Sequence, residues 1–162
     1  MRYPSAYRST SLTVIFLATL SAATLTAGCG SSSSSDDAAK FAGAWMFNPG
    51  TATCTASSTP FSITGLAVTL TEASATSITL SAGATCSVNF TVSGATATAG
   101  AGQSCTLSTP AGPQTIMVDS WMLAISGAQI TNTAAGTATI CGGAITVTGT
   151  LVKGTPDAGS AG

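Results

Sequence analysis

Ser87-Val-Asn-Phe-Thr-Val-Ser93 (SVNFTVS) alternates strictly between apolar and polar side chains. Val88, Phe90 and Val92 fall on one face, and Ser87, Asn89, Thr91 and Ser93 on the other. That period of two is the signature of a half-buried β-strand. The same alternation recurs on either side of this stretch. Leu66, Val68 and Leu70 oppose Ala67, Thr69 and Thr71; Ile78 and Leu80 oppose Ser77, Thr79 and Ser81; Ile145, Val147 and Leu151 oppose Thr146, Thr148 and Thr150. From Thr115 to Ile125, one parity carries Met117, Asp119, Trp121, Leu123 and Ile125. The phase changes at Gly65, because Phe61 and Ile63 are odd-numbered and the next apolar set is even, so a bulge or tight turn is expected there. Turn signals fall at Asn48-Pro49-Gly50, Ser93-Gly94, Pro110-Ala111-Gly112-Pro113, Ser126-Gly127 and Gly142-Gly143. No window after the leader shows a capped helical stripe. About eight short strands are expected over Phe41–Lys153, in an all-β antiparallel domain followed by a disordered tail, residues 154–162. Two layouts are open, an up-and-down barrel or a β-sandwich.

Composition supports strands over disorder. Only 6% of the 162 residues are charged and 44% are hydrophobic, the balance being mostly Thr, Ser and Gly. Charge repulsion cannot keep such a chain unfolded, and Thr with its branched β-carbon suits strand surfaces. Both arginines, Arg2 and Arg8, lie near the start of the chain, leaving Lys40 and Lys153 as the cations of everything after residue 28. A nucleic-acid partner is excluded, since neutralising phosphates needs a basic footprint.

Residues 1–28 read as an export signal. Arg2 and Arg8 form its positive start, and Leu12–Leu25 (LTVIFLATLSAATL) its apolar stretch, too short for the ~20 residues of a membrane span. The stretch ends in Thr26-Ala27-Gly28-Cys29, which resembles the lipobox of bacterial lipoproteins, with Thr26 where the family usually has Leu. The resemblance implies that Cys29 is acylated and becomes the mature N-terminus, with the lipid bilayer as partner. Ordinary signal cleavage after Ser21-Ala22-Ala23 is the alternative. The polar run Gly30–Ser35, Asp36 and Asp37 suits a tether, taken here as residues 29–40. Gly30, rather than an aspartate, follows the cysteine, which points to the outer membrane.

Cys54, Cys86, Cys105 and Cys141 remain, an even number in an oxidising compartment. With no histidine and no CxxC pair, disulfides are expected in preference to a metal site. Three connectivities are open. The pairing favoured is Cys86–Cys105, closing a hairpin that turns near Gly94, with Cys54–Cys141 tying early strands to late ones.

Catalytic candidates are scarce. Between Phe41 and Lys153 the charged residues are Glu72, Asp119 and Lys153, with no histidine and no tyrosine, whereas acid–base catalysis needs positioned titratable groups. Glu72 lies at a strand end. Asp119 shares a parity with Met117 and Trp121, so either it faces a ligand cavity or the strand bulges there and turns it to solvent. Trp45 and Trp121 are core pieces or cavity walls. The Thr-x-Thr pairs, such as Thr131/Thr133 and Thr96/Thr98, follow no fixed repeat and are not expected to align across strands. No enzyme activity, cofactor or metal is expected.

Gly43-Ala44-Trp45 resembles the G-x-W opening of lipocalins, whose tryptophan packs across the barrel floor. The later lipocalin features, a T-D-Y-type segment and a C-terminal arginine over the Trp, have no counterpart in this sequence. A wider resemblance joins Phe41-x-Gly43-x-Trp45, Thr51-x-Thr53-Cys54, the block Val92–Cys105, and Cys141 before the strand Ile145–Lys153. In these the chain is similar to a set of small myxobacterial lipoproteins, which implies an envelope location and no known activity. Two functions are expected in consequence. The first is a non-enzymatic display or adhesion module on a lipid anchor. The alternative is a lipocalin-like carrier of a small apolar ligand, with Trp45, Asp119 and Trp121 around its cavity.

Overall fold

The computed structural model describes residues 36–57, 60–109 and 112–154. The leader, Cys29 and residues 155–162 lie outside the described residues.

The described residues form a short helix, α1 (Asp37–Phe41), and nine strands: β1 (Gly43–Cys54), β2 (Pro60–Ser62), β3 (Ala67–Ser74), β4 (Ser77–Ala82), β5 (Cys86–Ser93), β6 (Thr96–Thr109), β7 (Gly112–Ser126), β8 (Gln129–Ala138) and β9 (Gly143–Lys153). Every pairing is antiparallel, each strand from β3 onward lies beside the next, and β9 closes on β1. Of the two layouts left open by the sequence, the chain takes the eight-stranded up-and-down barrel. The ninth strand, β2, is an addition to the wall. β3 pairs only Gly43–Met46 of β1, and β2 pairs Thr51–Thr53 on the same edge where β3 has ended. The phase change at Gly65 falls in a tight turn, in which this glycine has positive φ.

Alternation sorts each strand into an inner and an outer face. Val88, Phe90 and Val92 are buried while Ser87, Asn89, Thr91 and Ser93 are exposed, and Val68, Leu70, Ile78, Leu80, Ile145 and Leu151 also point inward. On the outside, the strand register places Thr91 opposite Thr98, Thr98 opposite Met122, Met122 opposite Thr133, Thr133 opposite Thr148, and Thr148 opposite Thr51. Five threonines therefore do line up in a row across six strands, interrupted by Met122 on β7, contrary to expectation. Barrel closure and hairpin register align them without any sequence repeat.

Two further expectations are corrected. The tether was expected to reach Lys40 and the domain to contain no helix, but α1 begins at Asp37 and buries Ala38 and Phe41. One helical turn is too short to show a periodic stripe. Met117 was placed inside with Trp121, yet it is 45% exposed. The register of β7 on β8 shifts between Val118 and Ser120, so the residue between them is extra and the inward parity switches there.

Both disulfides have the favoured pairing. Cys86–Cys105 joins β5 to β6 with a Cα separation of 4.2 Å, and Cys54–Cys141 ties the end of β1 to the 3-10 turn after β8 with a Cα separation of 5.2 Å.

Candidate ligand cavity

The two ends of the barrel are filled differently. At the end where β1 begins and β9 finishes, the interior holds Phe41, Trp45, Leu70, Ile78, Phe90, Leu123, Ile130 and Leu151, all nearly or fully buried. Helix α1 covers this end and donates a backbone hydrogen bond from Ala38 to the carbonyl of Ala75 in the β3–β4 turn, at 3.4 Å. The indole N–H of Trp45 donates to the carbonyl of Phe41 at 2.7 Å. The ammonium of Lys153 sits 4.5 Å from the centre of the Trp45 ring and donates to the carbonyl of Ala42 at 3.0 Å. A cation therefore does cover this tryptophan, although the sequence offered no arginine for the role. The signal was legible in hindsight: Lys153 is the last cation of the domain and ends its last strand.

Toward the opposite end the inward positions shrink. Ala52, Ala82, Ala134, Gly136 and Ala138 occupy them, and an eight-stranded barrel is just wide enough for side chains to fill or for one small ligand to enter. Here they leave a cavity of about 290 Å³, open at this end. Its wall includes Phe47, Val68, Leu80, Val118, Ile145 and Val147, and its rim Phe61, Leu107 and Ile140. Both sulfur-bearing residues of the Cys86–Cys105 disulfide are part of the wall. A buried apolar cavity of ~150 Å³ stays dry and accepts benzene, so this space suits a ligand of roughly twice that volume.

Trp121 forms the inner limit. Its ring meets Phe90 edge to face, with centroids 5.7 Å apart, and its indole N–H donates to the side-chain oxygen of Asn132 at 2.5 Å. Asn132 is 1% exposed and in turn donates to the carbonyl of Val147 at 3.4 Å. Asn132 was not singled out in the sequence, though Ile130, Asn132 and Ala134 share one parity, which would have placed it inside. Asn132 stands behind the lining, whose polar side chains besides Trp121 are Thr64 and Gln114. The Thr64 hydroxyl accepts from the amide of Gly50 at 3.1 Å and donates to its carbonyl at 3.4 Å. Gln114 accepts from the Thr139 hydroxyl at 3.1 Å. Among the described residues no charged side chain contributes to the lining, and no group of His, Cys, Asp or Glu is arranged to hold a metal ion.

The three residues proposed around a cavity therefore separate. Trp121 lines it. Trp45 lies beyond its floor, in the plugged end. Asp119 is the extra residue of the β7 bulge and is exposed on the outer surface, which is the solvent-facing alternative weighed for it. Glu72 is also exposed, on β3. Loss of water around its carboxyl, and then the Asp36 carboxylate beside it, push its pKa above the ordinary value. That pair belongs to the plugged end and takes no part in the cavity. Compared with protein-family models, curated proteins and solved structures, the chain matches none of them.

Proposed function

We propose that this protein is a non-enzymatic, lipid-anchored envelope lipoprotein whose barrel carries one small apolar molecule. The observation behind the carrier reading is the asymmetric interior: one end is plugged by Phe41, Trp45 and Lys153, and the other is left hollow by alanine and glycine. Protein interiors normally pack to high density, and leaving apolar surface without partners forfeits contact energy. An open apolar cavity satisfies that deficit when a ligand enters it. A display or adhesion module, the other function expected from the sequence, would work through its outer face and has no need of a hollow. The anchor rests on the lipobox resemblance at Cys29, with the outer membrane favoured by Gly30. The non-enzymatic reading is supported by the lining's described residues, which include no Asp, Glu, Lys, Arg, His or Tyr.

The test is a titration of the exported, oxidised chain carrying Cys29→Ser with an anilinonaphthalene-type fluorophore, following energy transfer from tryptophan. Saturable one-to-one binding is expected. A variant with Ala82→Phe and Ala134→Leu, checked for an unchanged fold by circular dichroism, should bind at least tenfold more weakly. Equal binding by the two proteins, or none at all, would sink the carrier reading.

A further inference from the structure

The shape and polarity of the cavity narrow the class of ligand, on the reading that the barrel is a carrier. Along β7 the lining runs from Gln114 at the rim through Ile116 and Val118 to Trp121. That is ~20 Å of strand at about 3.3 Å per residue, or ~15 Å along a barrel axis for strands tilted by 35–45°. A compact body filling 290 Å³ would be only about 8 Å across. The space is thus long and narrow, closed at Trp121 and open at the rim.

Its described polar groups are engaged within the protein, the Gln114 NH2 at the rim only by a 3.5 Å contact to the carbonyl of Gly112. The Trp121 N–H is held by Asn132, the Thr64 hydroxyl by the backbone of Gly50, and the Gln114 carbonyl by Thr139. A ligand that brought a charged or strongly polar group to the floor would bury it without a partner, which is costly. The same group left at the rim would keep its water. Ile140 is 49% exposed at that rim and also belongs to the lining, so it offers apolar contact where a chain would emerge.

We infer that the ligand is a single-chain amphiphile that enters tail first, its hydrocarbon chain running down to Trp121 and its head group remaining in solvent at the rim. Recognition is then by chain length and is indifferent to head-group charge.

Calorimetric titration of the oxidised Cys29→Ser chain tests this with three series of straight-chain ligands, carboxylates, trimethylammonium salts and maltosides, each from six to sixteen carbons and kept below micelle formation. Naphthalene serves as a compact control. In all three series affinity should rise about fourfold per methylene, as expected for transfer of CH₂ from water, and level off at one common length. The Ala134→Leu variant should level off at a shorter length, with shorter chains binding as before. If naphthalene binds and added methylenes bring no gain, or if one head-group charge is favoured more than tenfold, the tail-first inference is overturned while the carrier reading stands. If neither naphthalene nor any chain binds, the carrier reading itself falls.

Discussion

Asn132 shows how a single buried polar side chain is held inside an apolar barrel. Its oxygen accepts the Trp121 indole N–H and its amide reaches the carbonyl of Val147. Asn132→Ala leaves that N–H without a partner next to the cavity floor. The expected loss is about 1–3 kcal/mol in urea denaturation. At the plugged end, Lys153→Met removes the ammonium from the Trp45 face and should cost about 0.5–1 kcal/mol, whereas Lys153→Arg should retain most of it. Comparing thermal midpoints of the two variants checks this. At this scale the sequence was partly legible. Inward positions on β4, β5 and β9 followed from alternation alone, and Trp121 was correctly marked as a residue of interest. Met117 was misplaced because one parity was carried straight through Val118-Asp119-Ser120. An inserted residue leaves no trace in the pattern when its neighbours are a valine and a serine.

Bulges control the elements. Two strands carry one bordered by a glycine across the ladder: beside the irregularity between Phe47 and Gly50 in β1, Gly50 pairs with Gly149, and beside that between Val118 and Ser120 in β7, Val118 pairs with Gly136. A Cβ on Gly136 would lie 2.1 Å from the carbonyl oxygen of Met117, and one on Gly149 would lie 2.5 Å from that of Pro49. These glycines permit close approach of two backbones rather than an unusual φ. Gly136→Ala should therefore force β7 and β8 apart and cost about 1–3 kcal/mol, with amide exchange accelerated in both strands and little changed in β3 and β4. A glycine in a strand was legible as a sign of a bulge or close approach, but its partner across the sheet depends on register, which the sequence does not display. Helix α1 was missed for a related reason: Ala38 and Phe41 give only one turn of periodicity.

For the molecule as a whole, the disulfides and the uneven interior act together. Cys54–Cys141 closes a sequence separation of 87 residues and Cys86–Cys105 one of 19. Chain-entropy arguments give about 4–5 kcal/mol for the first and about 3 kcal/mol for the second. Replacing each pair by alanine should rank the urea midpoints accordingly, with the Cys54/Cys141 variant the less stable. The all-β antiparallel class and the presence of two disulfides were within reach of the sequence, since they follow from alternation, turn spacing and cysteine count; closure as a barrel and the choice among three connectivities depend on register, which those signals leave open. Which end is hollow was not, because that requires knowing which small inward residues meet at one level of the barrel: Ala52, Ala82, Ala134 and Gly136 come from three different strands, β1, β4 and β8. The central claim is that this hollow end takes an apolar ligand. Its most direct test is the measurement of intermolecular nuclear Overhauser effects between a bound decyl-chain ligand and the methyl groups of the isotope-labelled protein. Cross-peaks to Leu80, Val118, Ile145 and Val147 and to the Trp121 ring are the predicted result. Cross-peaks confined to Met117 and Met122 on the outer face, or none at a saturating ligand concentration, would contradict it.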